Sequence, residues 1–494
     1  MTDEKIVDRE RFGRARKASA SEIVELESKR NSPIPFDVAS YYGQLLVHRA
    51  HTIMLSEEGI IVHEEARQIL QGLQNVEKKA LSNPQLVGYM STESALIEEV
   101  GPVGGKMHIG RSRNDLGHTQ RRIFYRDQIE RVIKEIIEFR VKLIDVAINN
   151  IETIMPGYTH WRQAQPTTFA HYLLAHSESA SRTIDSLEGI YRRTNQSPLG
   201  SAAFAGTGWQ INRIRTKELL GFDELLENSL DGVASIDYFM EFAAVIAIHM
   251  SNLSRLAEDL QIWSSDEYLL IDLDESYAGT SSIMPQKKNP LILEQIKAYA
   301  AESLGNMVAT IASMKGTSYT NTVDRVMLEP IAIDTVVGST RIMGGIVETL
   351  RPMKENMVKR LMEGFTTTTD LADTLVKKHG LPFRQAHDII VDVTLSCLRD
   401  DKKASEISNE MIENASLKVL GRPLKISDTE LREATDPYLN VQRRNVIGGP
   451  SVNSVKAMIN NQRALLTSEK SRYDARIKRV SKALSKLKVA ENIL

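Results

Sequence analysis

A chain of 494 residues with a single cysteine, Cys397, cannot close an internal disulfide. Packing alone must hold the fold, a reducing compartment is expected, and Cys397 reads as a buried core thiol. No stretch reaches the roughly 18 apolar residues that a membrane span needs. The N-terminal MTDEKIVDRERFGRARK is charged and lacks the apolar centre of a secretory leader. A cytoplasmic protein without a membrane partner is therefore expected. An excess of either charge is missing as well: 62 basic against 64 acidic side chains leave a net charge of -2. That balance gives no reason to expect nucleic acid, and the partner is expected to be a small molecule. HExxH, paired CxxC, Walker and strand-following GxGxxG patterns are absent from the sequence, so no metal and no nucleotide cofactor is indicated. The chemistry falls to side chains.

Aromatic residues make up only 6% and there are 15 prolines, in a chain rich in Leu, Ile, Ala, Glu, Lys and Arg. Such a composition favours helix over sheet. Between 239 and 263, Phe239, Phe242, Ala243, Ile246, Met250, Leu253, Leu256, Leu260 and Trp263 recur every three or four positions, which is the period of a helix of about seven turns. Similar patterns over 119–151, 168–194, 290–314 and 328–351 predict about five helices, each near 25 residues. Helices so long and so apolar need neighbours on several sides, so a bundle extended by other subunits is expected. No period of 20–50 residues repeats, which argues against a helical solenoid. Gly-, Ser- or Pro-rich stretches near 101–118, 195–213 and 274–290 interrupt the pattern, where loops could carry function. A further boundary near 364–367 divides the chain into an N-terminal helical domain (1–118), a central long-helix domain with the catalytic loop (119–365) and a small C-terminal helical domain (366–494). The lysine-rich 478–487 reads as a solvated helix face.

Three strings carry chemistry. In GTSSIMPQKKNP (279–290), small residues precede Lys287, Lys288 and an Asn289-Pro290 pair, which reads as an N-cap and first helical position. The helix dipole, the two lysines and the Asn289 amide suit a carboxylate, and a serine among such donors loses its proton more easily than in water. In GYTHWRQAQP (157–166), His160 sits among polar residues just ahead of another helix. A histidine exchanges protons near neutral pH and needs a carboxylate to orient it, and Glu294, one turn past Asn289, is the candidate. In GKMHIGRSRND (105–115), glycines and donors combine in a way suited to a dicarboxylate.

Together with SPLGSAAFAGT and DLADTLVKKHGLPFRQAH, these strings occur in the order found in the fumarase/aspartase superfamily, over about residues 34–450. GTSSIMPQKKNP resembles the superfamily signature GSSxMPxKxNP, and its QKKNP ending resembles the argininosuccinate lyases in particular. The resemblance implies an all-α, three-domain homotetramer whose active sites each take segments from three subunits, with no cofactor. It implies a carbon–nitrogen lyase that cleaves an N-substituted aspartate, argininosuccinate or a relative such as ethylenediamine-disuccinate, into fumarate and an amine. It makes Ser281 the base, with Lys287 and Asn289 stabilising the aci-carboxylate and His160, oriented by Glu294, aiding binding or proton donation. Ser112, Arg113, Asn114, Thr159, Gln165 and Met284 complete the substrate-binding set. Two departures concern the amine side: Leu291 stands where those lyases usually have Asp, and 315–325 lacks their usual acidic and amide groups. QKKNP argues against the fumarase, aspartase and adenylosuccinate lyase types, and the intact Ser281, Lys287, Asn289 and His160 argue against a non-catalytic structural homologue.

Overall fold

The structure, a computed structural model, describes residues 17–281, 283–284 and 286–494. The charged segment 1–16, and Ser282 and Pro285 of the Ser-Lys loop, lie outside the described residues. Five long helices form the body: Arg113–Ile148, Phe169–Thr194, Asp237–Trp263, Leu291–Met314 and Pro330–Thr349. Their apolar stripes merge into one core that includes Ile129, Leu173, Phe239, Phe242, Ile296 and Val336. Each such buried side chain contributes about 1.5–3 kcal/mol relative to exposure. The expected ranges hold to within a few residues except at the first helix, which begins at Arg113 rather than near 119. Ser112 causes this: its hydroxyl accepts from the Asn114 N–H at 3.3 Å, and Asp115 reaches back to the Ser112 N–H at 2.9 Å, a reciprocal cap that starts the helix early.

The five helices run up and down. The connections 195–236 and 315–329 meet the start of the first helix, through Gly200 and Ala202 on Asp115 and Asn321 on Asn114. The connections 149–168, 264–290 and 350–353 gather at the opposite end, where Tyr158 lies 5.9 Å from Tyr268 and Ile271 pairs with Pro352. Helices Phe36–Glu57, His63–Ser82 and Tyr89–Val100 build a separate N-terminal core around Met54, Leu73 and Leu96. Past the break between Glu363 and Thr368, a small cluster encloses Leu375, Ile389, Val393 and Ala434, with Cys397 buried as expected.

Two features differ from the sequence reading. The all-α expectation needs amendment, because the described residues hold four two-stranded pairings. Three are two residues long, but Ile154–Thr159 and Arg162–Thr168 form a real hairpin. Pro156 and Pro166 forbid helix there, and the β-branched Ile154, Thr159, Thr167 and Thr168 suit strands. The second difference is the final helix, Val452–Ile493, which leaves the small cluster and packs along the 113–148 and 169–194 helices. Its lysine side is solvated, as expected, while Ala483 and Leu487 face inward. Its anchor is Arg140, fully buried, which pairs with Glu469, donates to Gln462 at 2.6 Å and to the Ser177 carbonyl at 3.1 Å.

Removing one partner of a buried ion pair strands the other charge and costs about 3–5 kcal/mol. Arg140→Met is expected to lose that much stability, and adding Glu469→Leu to recover at least half of it. Denaturation midpoints of the two variants check this; an unchanged loss in the double variant removes the pair as the anchor.

Candidate active site

At one end of the bundle, Gly279 pairs with Asn289 and Thr280 with Lys288, closing the Ser-Lys loop into a narrow-necked turn. A side chain at Gly279 would run into Leu291. The expected cap is displaced: Asn289 is engaged with Gly279, Pro290 occupies the cap position, and the helix starts at Leu291. Inside the loop the Ser281 hydroxyl oxygen accepts from the backbone N–H of Met284 at 3.0 Å and of Ile283 at 3.4 Å. Donors aimed at that oxygen favour its deprotonated form. The two lysines have different tasks. Lys288 is tied to Asp272 at 2.6 Å and to the Leu273 carbonyl at 3.2 Å, whereas Lys287 is exposed and carries no ion pair among the described residues. Met284 is also exposed, and exposed Glu294 accepts from Gln261 at 3.3 Å.

The 154–168 hairpin stands at the same end. Thr159 pairs with Arg162, leaving His160 and Trp161 as a two-residue turn, both left-handed with φ of 52° and 60°. Two successive positive φ values match the right-handed twist of a hairpin but normally call for Asn or Gly. Thr159, His160 and Trp161 are exposed, and His160 has no hydrogen-bond partner among the described residues. Within one chain Glu294 therefore does not orient His160. Gln165 lies farther along the strand, lining a cavity of about 450 Å³ with Asp370 and Arg444.

The third string occupies the other end. Asn114 donates to the Ala203 carbonyl at 2.9 Å and accepts from the Asn321 amide at 2.7 Å, while Arg113 is exposed. Asp115, to which the sequence reading gave no role, is the fastener. Its carboxylate takes four backbone N–H groups, from Ser112, Leu116, Gly200 and Ala202, all at 2.9–3.0 Å. Burial raises its pKa while these donors oppose that rise. The Ser112-x-x-Asp115 spacing was the signal that could have found it. Behind this turn, Arg111 donates to His48 at 2.6 Å, and burial holds His48 and His51 neutral, His51 down to about 3.

One chain thus brings Ser281, Met284, Lys287, Asn289, Glu294, Thr159 and His160 to one end, and Ser112, Arg113 and Asn114 to the other. Between the two ends runs a helix of 36 residues, roughly 54 Å at 1.5 Å per residue.

Residues 25–305 match the model of a family described as lyase, and 365–442 match one described as argininosuccinate lyase C-terminal. The argininosuccinate lyase of Methanosarcina mazei is 39% identical over 468 residues, covering 92% of this chain and 93% of its own. The chain belongs to the argininosuccinate lyase family. A second relative, the argininosuccinate lyase of Methanocaldococcus jannaschii, is 38% identical, covering 93% of this chain and 96% of its own. Among solved structures, EDDS lyase in complex with formate superposes with a TM-score of 0.95 at 40% identity, covering 97% of both chains. Class II fumarase from Schistosoma mansoni, at 13% identity and a TM-score of 0.65, shares the fold alone.

A left-handed backbone costs an ordinary residue about 1–2 kcal/mol. Replacing His160-Trp161 by Asn-Gly is therefore expected to hold or raise the melting temperature while abolishing most turnover. A clear drop in melting temperature would mean that contacts of Trp161, and not turn geometry, hold the hairpin.

Proposed function

We propose that this carbon–nitrogen lyase cleaves an N-substituted aspartate by β-elimination, with Ser281 as base, at sites shared between subunits of a homotetramer. The observation that carries the chemistry is the pair of backbone N–H groups on the Ser281 oxygen, in the same loop as a lysine with no carboxylate partner among the described residues. The serinate takes a proton from the carbon next to a substrate carboxylate. Negative charge then spreads onto that carboxylate, which Lys287 and Asn289 stabilise at the start of the 291–314 helix. As the double bond of fumarate forms, the carbon–nitrogen bond breaks and the nitrogen leaves as an amine after taking up a proton, with His160 as the candidate donor. Ser112, Arg113, Asn114 and Thr159 hold the fumarate portion, with Gln165 and Met284 at the margin. No step needs a cofactor.

The separation of the strings supports the shared site. Residues kept apart by a rod of roughly 54 Å meet only when copies pack with opposite ends together, and a pairing of the His160 of one chain with Glu294 of another, both at the same end, calls for a further copy. The 291–314 helix supports assembly independently, since Leu304, Val308 and Ile311 are 50%, 56% and 45% exposed along it, an apolar run that a lone chain leaves wet. On the amine side, Leu291 and 315–325 depart from the family pattern, and they favour an amine other than the amino-acid end of argininosuccinate, as in the diamine-linked substrate that the name of EDDS lyase carries.

Two outcomes test this reading. Ser281→Ala is expected to assemble normally yet lose at least about two orders of magnitude in turnover, as on removal of a general base. Fumarate absorbance with a panel of N-substituted aspartates reads it, and retained activity sinks the assignment. Light scattering at micromolar concentration is expected to give a tetramer; an active monomer contradicts the shared site.

A further inference from the structure

Asn114, His118 and Arg121 fall at i, i+4 and i+7 of the 113–148 helix and so share one face. The 315–325 loop covers that face through Asn321 and Arg325, and the polar groups enclosed there are poorly satisfied. His118 is fully buried and neither ring nitrogen has a hydrogen-bond partner. The Asn321 amide approaches it without completing a bond, and Arg121, Arg325 and Arg122 stand around it. Burial first and these cations second hold its pKa down to about 3, so it is neutral.

Arg122 is largely engaged, with only Nε buried without a partner. It donates to the Arg193 carbonyl at 2.8 Å and to Ser235 at 3.0 Å, and lies over the Tyr238 ring at 4.3 Å. Arg121 and Arg325 are not. Arg325 donates from Nη2 to the Thr320 carbonyl, leaving Nε and Nη1 buried without partners. Neither arginine forms an ion pair among the described residues, and burial first and the neighbouring Arg121 charge second lower the preference of Arg325 for its charged form. Nearby acids pair with neither among the described residues: exposed Asp324 offsets the burial of Arg325 only in part, and Asp231 takes the Tyr319 hydroxyl.

Buried donors without acceptors call for an explanation, and two guanidinium groups near a neutral imidazole suit a planar anion. We propose that Arg121 and Arg325, with His118 and Asn321, seat a carboxylate on the amine half of the substrate. The enzyme then selects N-substituted aspartates whose amine portion ends in a carboxylate, an inference that rests on the lyase reading above. The helix sets the reach: positions four and seven residues beyond Asn114 lie about 6–10 Å along its axis. That span suits an amine separated from its carboxylate by a few carbons.

The probes are two N-substituted aspartates, one built from γ-aminobutyrate and one from isohexylamine, its neutral isostere. Wild-type tetramer is expected to favour the first in kcat/KM by at least about tenfold, the scale of a buried polar mismatch. Arg325→Met and Arg121→Met should bring the ratio close to one, chiefly through KM of the charged adduct, and Arg325→Lys should keep part of it. The fumarate inhibition constant should move less than twofold. A ratio that survives both methionine variants overturns the seat, as does a matched loss on both adducts with weakened fumarate inhibition. Dissociation of the variants in light scattering also overturns it, assigning the arginines to a contact with a neighbouring copy. If wild type releases fumarate from other N-substituted aspartates without preferring the charged adduct, only the seat falls. Release from none overturns the lyase reading, and the seat with it.

Discussion

The fixed rise of an α-helix is the constraint on which the rest of this structure depends. The 113–148 helix begins where Ser112 and Asp115 cap it and ends five residues short of the 154–168 hairpin. Everything chemically notable is fastened to one of its two ends, and no rearrangement of side chains brings those ends together. The rod is stiffened from outside as well. About three-quarters of the way along it, Arg140 ties down the final helix, whose 42 residues span nearly the whole length of the bundle. A bundle built this way keeps the spacing of its functional turns without a disulfide.

Buried charge is handled in contrasting ways along that rod. Asp115 and Arg140 are both enclosed and both fully engaged, one by four backbone N–H groups and the other by a carboxylate, an amide and a carbonyl. Such groups add rigidity where register matters, since a displaced donor leaves a costly unpaired charge behind. One turn from Asp115, by contrast, His118 keeps both ring nitrogens unsatisfied, and Arg325 of the 315–325 loop keeps two buried nitrogens without partners. The same short stretch of helix thus combines a completed polar network with an open one, and the open one lies beside the turn that resembles a dicarboxylate-binding string.

What could be read from the sequence was whatever depends on short range or on a strong period. The Phe239-to-Trp263 series lies on one side of its helix as the spacing requires, and the 169–194, 291–314 and 330–349 helices appear within a few residues of their expected limits. The strings that resemble the lyase family were visible because each is a local turn. What failed depended on competition between local and distant partners. Asn289 has a good capping side chain, yet its backbone pairs with Gly279. Polar residues around His160 read as a loop, although prolines and β-branched residues flanking it form strands. The last helix meets different neighbours along its length, so its apolar positions follow no single stripe and its return to the bundle was not legible. The register between ends, and the absence of a hydrogen-bond partner for His160 among the described residues of its own chain, emerge only when whole helices are counted out.

The 315–325 loop is joined to the bundle only where two long helices end, and it touches the first helix through the Asn321–Asn114 bond. The register of those helices is fixed by the core, not by the loop. For a protein engineer this makes the segment an exchangeable cassette: its sequence can be diversified as a library while the rods, and the serine loop at the far end, serve as an unchanged chassis.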